Sequence, residues 1–388
     1  MLNKNILIIL SLVSIAIGQY SNAGPFDINI TSQNIFVTDS LPMSYSIFSP
    51  LNNEPDAIVL LSHGFSRDRS SLEGIAEHYA SWGIIAITMD LLHSSIIDND
   101  PIIDAIDMNI LASEVGEGRS VIYLGHSAGA LRSLIAASQN SNAIAILGFD
   151  LVDVLDSGSD SEYLALSYVS DISIPVWGLV GESSPCNAYG NGLSVFQEAN
   201  YGNAISITEA DHCDFEFPTN FLCTILCEGT NDSFLDDEIQ DVIINLSTAF
   251  LLYYTENDDL AIQLWEPGNN YYDSLIDGGA IQQIISLDTY KSAPVSNNFK
   301  LYNNYPNPFN PITNIKYKIL NSGNVNIVIS DINGINIKSL VNKFHNQGNY
   351  LLQWNGSDWQ GITLPSGVYF YTIKAGEYMH TEKMILLK

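Results

Sequence analysis

The feature that most constrains this chain is the pentapeptide GHSAG at Gly125–Gly129, a G-x-S-x-G pattern. Four β-prone residues, Val121–Leu124, precede it, and a segment rich in alanine and leucine, Ala130–Ser138, follows it. A strand, a sharp turn and a helix in this order lift a serine hydroxyl clear of a sheet, and the glycines let the backbone turn without collisions. The helix N-terminus also favours negative charge. The pattern therefore predicts that Ser127 is a nucleophile.

A serine hydroxyl needs a base to take its proton and a carboxylate to orient that base. His212 is the best base, because it follows the last apolar strand and the base comes last along the chain in this arrangement. Three carboxylates stand at or after strand ends between Ser127 and His212, namely Asp150, Asp153 and Glu182. Any one of them could reach His212 from adjacent strand ends, so the residues alone leave the acid open.

The oxyanion of an acyl-transfer intermediate needs two backbone N–H donors. We expect one from Ala128, directly after the nucleophile, and the other from Phe65, in the loop after an earlier strand. Arg67 and Arg69 follow in the same loop, where they are either surface residues or ligands for a substrate carboxylate.

From Pro25 to about Thr255, short apolar runs alternate with amphipathic segments, which predicts an α/β domain with a mostly parallel sheet flanked by helices. Residues 256–290 are harder to place, and Trp265 indicates a packed extension of this domain. From Leu301 onwards the composition becomes basic, rich in asparagine and punctuated by glycine. Runs of period two there, such as Thr313–Ile319, predict a small antiparallel β-sandwich.

The first residues are typical of an export signal. Lys4 precedes the apolar run Ile6–Ile17, which is too short to span a bilayer, and small residues such as Gly18 and Ala23 offer cleavage sites. We therefore expect residues 1–23 to be a signal peptide, followed by a catalytic domain at 24–290, a linker at 291–300 and a β-domain at 301–388.

All four cysteines lie between Cys186 and Cys227. An even number of cysteines in an exported protein favours disulfides, and a zinc site beside His212 is the weaker alternative because no paired C-x-x-C motif is present. Three pairings are possible. We expect Cys186–Cys213, which would tie a strand-end loop to the segment of the base, and Cys223–Cys227, which closes a single-turn spacing.

The net charge of −29 is distributed unevenly along the chain. Residues 1–299 carry 6 lysines and arginines against 39 aspartates and glutamates, a net charge of −33, whereas residues 300–388 carry 8 against 4. An acidic surface repels phosphate backbones and anionic lipid headgroups, so nucleic acid is not expected as a partner.

Over roughly residues 25–255 the chain resembles the α/β-hydrolase superfamily, on the basis of His63–Phe65 (HGF), the GHSAG pentapeptide and the late His212. It looks most like the esterase branch that contains chlorophyllases, platelet-activating-factor acetylhydrolases and polyester hydrolases. The resemblance implies a serine hydrolase that needs no cofactor and cleaves carboxylic esters, with lipid or polyester substrates included.

The same resemblance bears on the choice of acid. In chlorophyllase-like members the acid ends a Gly-x-Asp segment after the strand that follows the nucleophile helix, which is Gly148–Asp150 here. Polyester hydrolases place it one strand later, at a position that holds Ser184 in this chain, so that route would have to use Glu182. The resemblance therefore favours Asp150.

The C-terminal region resembles a second family, the C-terminal sorting domain of the type IX secretion system. The match depends on Asn304–Pro311 (NYPNPFNP), on Trp354–Gly356, on Ser366–Tyr369 and on the terminal Lys383–Lys388. It implies export across a Gram-negative outer membrane, recognition by the secretion machinery, and a location that is secreted or attached to the cell surface. It also implies an immunoglobulin-like arrangement of the predicted sandwich.

These observations together predict a secreted esterase with a triad of Ser127, His212 and Asp150. A peptidase or amidase on the same fold is one alternative. A non-catalytic surface binding protein that retained the scaffold is another.

Overall fold

The computed structural model describes residues 18–154, 163–219, 223, 227, 234–256, 258–285, 299–301, 304, 306–331, 335–376 and 378–388. Within them, a large mixed sheet with helices is followed by an all-β region. The sheet strands are β1 (Ile28–Phe36), β2 (Pro42–Pro50), β3 (Ala57–Ser62), β4 (Ile85–Met89), β5 (Ser120–His126), β6 (Ala143–Phe149), β7 (Val176–Val180), β8 (Gly202–Ile207) and β9 (Ile281–Ile285). The α-helices are α1 (Glu73–Ser81), α2 (Pro101–Gly116), α3 (Ala128–Gln139), α4 (Leu166–Val169), α5 (Leu193–Glu198), α6 (Asp236–Glu256) and α7 (Asn270–Asp277).

The nine strands form one sheet in the order β1-β2-β4-β3-β5-β6-β7-β8-β9. The six strands from β4 to β8 in this order pair in parallel, while β1, β2 and β9 pair antiparallel at the two edges. Because parallel strands share their carboxyl ends, the loops after β3, β5, β6, β7 and β8 meet at one edge of the sheet. All the predicted site residues follow these strands.

Helices cover both faces of this sheet, so its central strands are apolar on both sides. On one face, Ile122 and Leu124 of β5 belong to a core that includes α1 and α6. On the other face, Val121 and Tyr123 of the same strand pack with α2 and α3. The central strand β5 is therefore buried along its whole length, and it ends at the GHSAG pentapeptide.

Residues after α6 extend the first region, as the aromatic residues there indicated. Trp265 is buried and donates a hydrogen bond from its indole N–H to the carbonyl of Leu246 in α6, at 2.7 Å. Strand β9 then adds to the edge strand β8.

The strands of the all-β region are β10 (Phe299–Leu301), β11 (Thr313–Ile319), β12 (Gly323–Ser330), β13 (Asn336–His345), β14 (Gly348–Trp354), β15 (Gly367–Ala375) and β16 (Tyr378–Leu386). They form two antiparallel sheets, in the orders β10-β11-β14 and β13-β12-β15-β16. Side chains of both sheets share two apolar clusters, one around Tyr317 and Ile327 and one around Trp354 and Met384. Most of the predicted linker lies outside the described residues, and its last two positions belong to β10.

One residue of the predicted export signal packs against the first region. Most of the signal lies outside the described residues, but Tyr20 is 2% exposed and belongs to the core beside α1 and α6. Its ring meets Trp82 edge to face, and its backbone N–H donates to Asn245 Oδ1 at 2.7 Å. The first region therefore includes residues before position 24, and cleavage after Gly18 keeps Tyr20 in place whereas cleavage after Ala23 removes it.

We expect N-terminal sequencing of the exported protein to start at Gln19. We also expect Tyr20→Ala to lower the free energy of unfolding by about 3 kcal/mol or more, as for other buried aromatic residues cut back to alanine. Tyr189→Ala is the matched control, because Tyr189 is exposed. A mature protein that starts at Gly24, or equal effects of the two substitutions in denaturant melts, would contradict this boundary.

None of the described helices has both the length and the apolar character that crossing a bilayer requires.

Candidate active site

Ser127 stands in a strained turn between β5 and α3. Its backbone has φ 57° and ψ −127°, a conformation that costs energy for any residue with a side chain. A Cβ at Gly125 would lie 2.5 Å from the Ala130 nitrogen, and one at Gly129 would lie 2.3 Å from the Ser62 carbonyl oxygen. Both flanking glycines are therefore required by close backbone contacts, and together they hold the Ser127 side chain at the end of the central strand.

Three side chains that are distant in sequence form one hydrogen-bonded chain at this edge. The distance from His212 Nε2 to Ser127 Oγ is 2.9 Å, and the distance from His212 Nδ1 to Asp150 Oδ2 is 2.6 Å. All three residues are buried or nearly so. With Nδ1 carrying the proton toward the carboxylate, Nε2 is free to accept the serine proton.

Asp150 is oriented by its own set of donors. Its Oδ1 accepts the Gly181 N–H at 3.0 Å and the Asn187 side-chain amide at 3.2 Å, which leaves Oδ2 for His212. Asn187 was missed by sequence reasoning. The available signal was Ser184–Asn187 (SPCN), which forms a capping box that fixes the Asn187 side chain.

The two alternative acids lie elsewhere. Asp153 accepts the backbone N–H groups of Val154 and Ala165, and burial raises the pKa of its carboxyl to about 6. The exposed Glu182 accepts the N–H of Glu209 at 3.0 Å. Of the three candidate carboxylates, Asp150 is the one in contact with His212.

The loop that carries Phe65 passes directly against Ser127. A Cβ at Gly64 would lie 3.3 Å from Ser127 Cβ and 3.3 Å from His126 Nδ1. His63 fastens this loop, because its Nδ1–H donates to the Gly64 carbonyl and its Nε2 accepts the Leu91 N–H. Burial lowers the pKa of His63, in keeping with this neutral form. Phe65 directly follows Gly64 in this loop, and Ala128 is the first residue of α3.

A second buried group joins the loops of Phe65 and His212. Glu216 pairs with Arg67 Nε at 2.7 Å, and its carboxylate lies 3.9 Å from His126 Nδ1. His126 donates from Nε2 to the His212 carbonyl at 2.9 Å, and burial keeps its pKa well below the usual range. Glu216 and His126 were missed as site residues, since neither shows its partners in the sequence.

The two arginines after Phe65 already have acidic partners. Arg67 pairs with Glu216, and Arg69 pairs with Asp90 at 2.5 Å and with Glu73 at 3.4 Å. The proposal that they bind a substrate carboxylate therefore loses its main support. A cavity of about 320 Å³ opens beside Arg67, and its lining of serines, Asp68 and Thr219 is largely polar.

The disulfide pairing predicted from the sequence is wrong. The structure has Cys186–Cys227 and Cys213–Cys223, with no free cysteine among the described residues. The physical reason is that Cys223 lies beside Cys213, after β8, whereas Cys227 lies beside Cys186, after β7, so these two cysteines bond to different loops. The bridges still brace the segment of His212. The sulfurs of Cys213, Cys223 and Cys227 lie close enough together to hold a metal, but Cys213 and Cys223 are bonded to each other and Cys227 is bonded to Cys186.

Comparison with known proteins identifies the C-terminal region. Residues 303–387 match the family described as secretion system C-terminal sorting domain. No curated protein matches the chain. The chain therefore carries a type IX sorting domain that interacts with the type IX secretion machinery, and the protein is exported and is either secreted or attached to the cell surface.

Proposed function

We propose that this protein is an exported serine esterase with an α/β-hydrolase catalytic domain. The observation that carries the proposal is the hydrogen-bonded chain from Ser127 through His212 to Asp150 at the carboxyl edge of the parallel sheet. The order of the three residues along the chain, serine then aspartate then histidine, is the order expected for that fold. The position of Ser127 at the end of the central strand also supports it.

In this proposal Ser127 Oγ attacks the ester carbonyl while His212 Nε2 takes its proton. Asp150 holds the imidazole in the required tautomer and stabilises its positive charge. The amides of Phe65 and Ala128 stabilise the oxyanion, and each such donor typically lowers the barrier by about 3 kcal/mol.

The tetrahedral intermediate collapses when His212 returns the proton to the leaving alcohol, which leaves an acyl-serine. A water molecule then attacks the acyl group, with His212 again as base, and the carboxylic acid departs as Ser127 regains its proton. The residues named supply every proton transfer in both halves of the reaction.

A fluorophosphonate probe tests the proposal, because it labels a serine only when a neighbouring base activates the hydroxyl. We expect stoichiometric labelling of the full secreted protein at Ser127, located by peptide mapping. Paired p-nitrophenyl ester and anilide substrates with the same acyl group then separate esterase from amidase. An unlabelled Ser127 in folded protein would instead favour the binding protein that retained the scaffold.

A further inference from the structure

The loop between β4 and α2 displays two adjacent isoleucines to solvent. Ile96 and Ile97 are 86% and 95% exposed. They form the tip of a tight hairpin in which Ser94 bridges Asn99 and the Ser95 N–H donates to the Asp98 carbonyl at 2.8 Å. Tight turns favour glycine, asparagine, aspartate, proline and serine. Two β-branched residues at this tip therefore do not stabilise the turn, and their presence needs another explanation.

The base of this hairpin is held rigidly. The guanidinium of Arg132, in α3, pairs with Asp104 at 2.6 Å and donates to the His93 carbonyl at 3.0 Å and to Asn99 Oδ1 at 2.7 Å. The Arg132 and Asp104 side chains are each 1% exposed. Both ends of the hairpin are thereby fixed to one buried ion pair, so its tip is held in an exposed position by the rest of the fold.

The hairpin also adjoins the candidate active site. The Ser94 carbonyl accepts the N–H of Ser66, the residue after Phe65, at 2.8 Å. Arg132 donates to the carbonyl of Ala128 at 3.0 Å, one residue after the nucleophile. The base of the hairpin is therefore bonded to the Phe65 loop and, through Arg132, to the start of α3, and Phe65 is itself partly exposed.

The charge around the tip limits what can meet it. Asp98 and Asp100 follow the isoleucines, and residues 1–299 carry a net charge of −33. An anionic lipid surface would be repelled, whereas an uncharged apolar phase would accept both isoleucine side chains without an electrostatic cost.

We propose that Ile96 and Ile97 insert into the surface of a water-insoluble, uncharged ester and so bring Ser127 to its substrate. The inference depends on the proposed esterase function and names its substrate class: condensed neutral lipid esters rather than dissolved ones. The rigid hairpin sets the approach, because the tip enters the apolar phase while the neighbouring Phe65 loop faces the ester groups.

The test replaces the tip with residues that suit a tight turn, Ile96→Asn together with Ile97→Gly, in the full secreted protein. Leu260→Ser is the matched control, since Leu260 is 69% exposed in the turn after α6. We expect the double variant to lose about tenfold or more of its rate on tributyrin droplets and to keep its rate on dissolved p-nitrophenyl acetate within about twofold. The control variant should keep both rates.

Adsorption separates this inference from the esterase proposal. Flotation can be measured without hydrolysis when both proteins carry Ser127→Ala. The protein with the two isoleucines should float with tributyrin droplets, and the protein that also carries the double substitution should not. Flotation of both would overturn the inference even if the enzyme is an esterase, and tip-dependent flotation would support it even if no ester is cleaved. A tip-dependent dimer in sedimentation, or tip-dependent binding to phosphatidylglycerol vesicles, would assign the tip to another partner and overturn the proposal.

Discussion

Replacing Ser127 with alanine is expected to remove ester hydrolysis, with kcat lowered on the order of 10⁴-fold or more, as for other serine hydrolases that lose the nucleophile. The substitution deletes one oxygen whose single partner among the described residues is His212 Nε2. The fold should therefore persist, because the substitution removes only the side-chain oxygen and leaves the backbone of the strained turn unchanged.

The measurement is p-nitrophenyl ester hydrolysis by folded protein, with thermal melting as the control for structure. Ser133→Ala serves as a matched serine variant, because Ser133 is also buried in α3 but bonds to Ser62. Turnover by Ser127→Ala close to that of the unaltered protein would remove the basis of the catalytic proposal.

Asp150→Asn is expected to lower kcat by about 10³-fold to 10⁴-fold, because an amide can neither fix the tautomer of His212 nor stabilise its positive charge. KM should change little, since Asp150 lies behind the histidine and away from the substrate. Glu182→Gln should leave kcat within about threefold, as expected for an exposed side chain.

Asp153→Asn provides a second comparison. Asp153 accepts two backbone N–H groups, so its replacement should lower the melting temperature while kcat of the folded protein is largely retained. If Glu182→Gln or Asp153→Asn lowers kcat more than Asp150→Asn does, then Asp150 is not the carboxylate that orients His212.

Local sequence patterns predicted most of the elements. The β-prone run Val121–Leu124 lies within β5, the segment Ala130–Ser138 lies within α3, and Thr313–Ile319 agrees with β11 residue for residue. The strand, turn and helix around Ser127 could also be predicted, because glycine spacing and apolar runs are local properties of the chain. The sorting domain carries its motifs in consecutive residues, and it was recognised for the same reason.

Contacts between distant segments could not be derived in this way. The residues alone left three acids open, and contact with Asp150 depends on how the β8 loop returns over the end of β6. The cysteine pairing was predicted wrongly because sequence spacing does not reveal which loops Cys223 and Cys227 meet. The partners of Arg67 and Glu216 were hidden for the same reason.

The sequence by itself determined the strand–serine–helix turn, the position of the late histidine, the export address and the change from an acidic α/β region to a basic β region. The tertiary structure alone decided that Tyr20 belongs to the core, that Asp150 meets His212, and that Ile96 and Ile97 are exposed in a hairpin that is hydrogen-bonded to the Phe65 loop. The physical reason is range: backbone preference and apolar periodicity act over a few neighbouring residues, whereas burial and side-chain pairing depend on segments that only folding brings together.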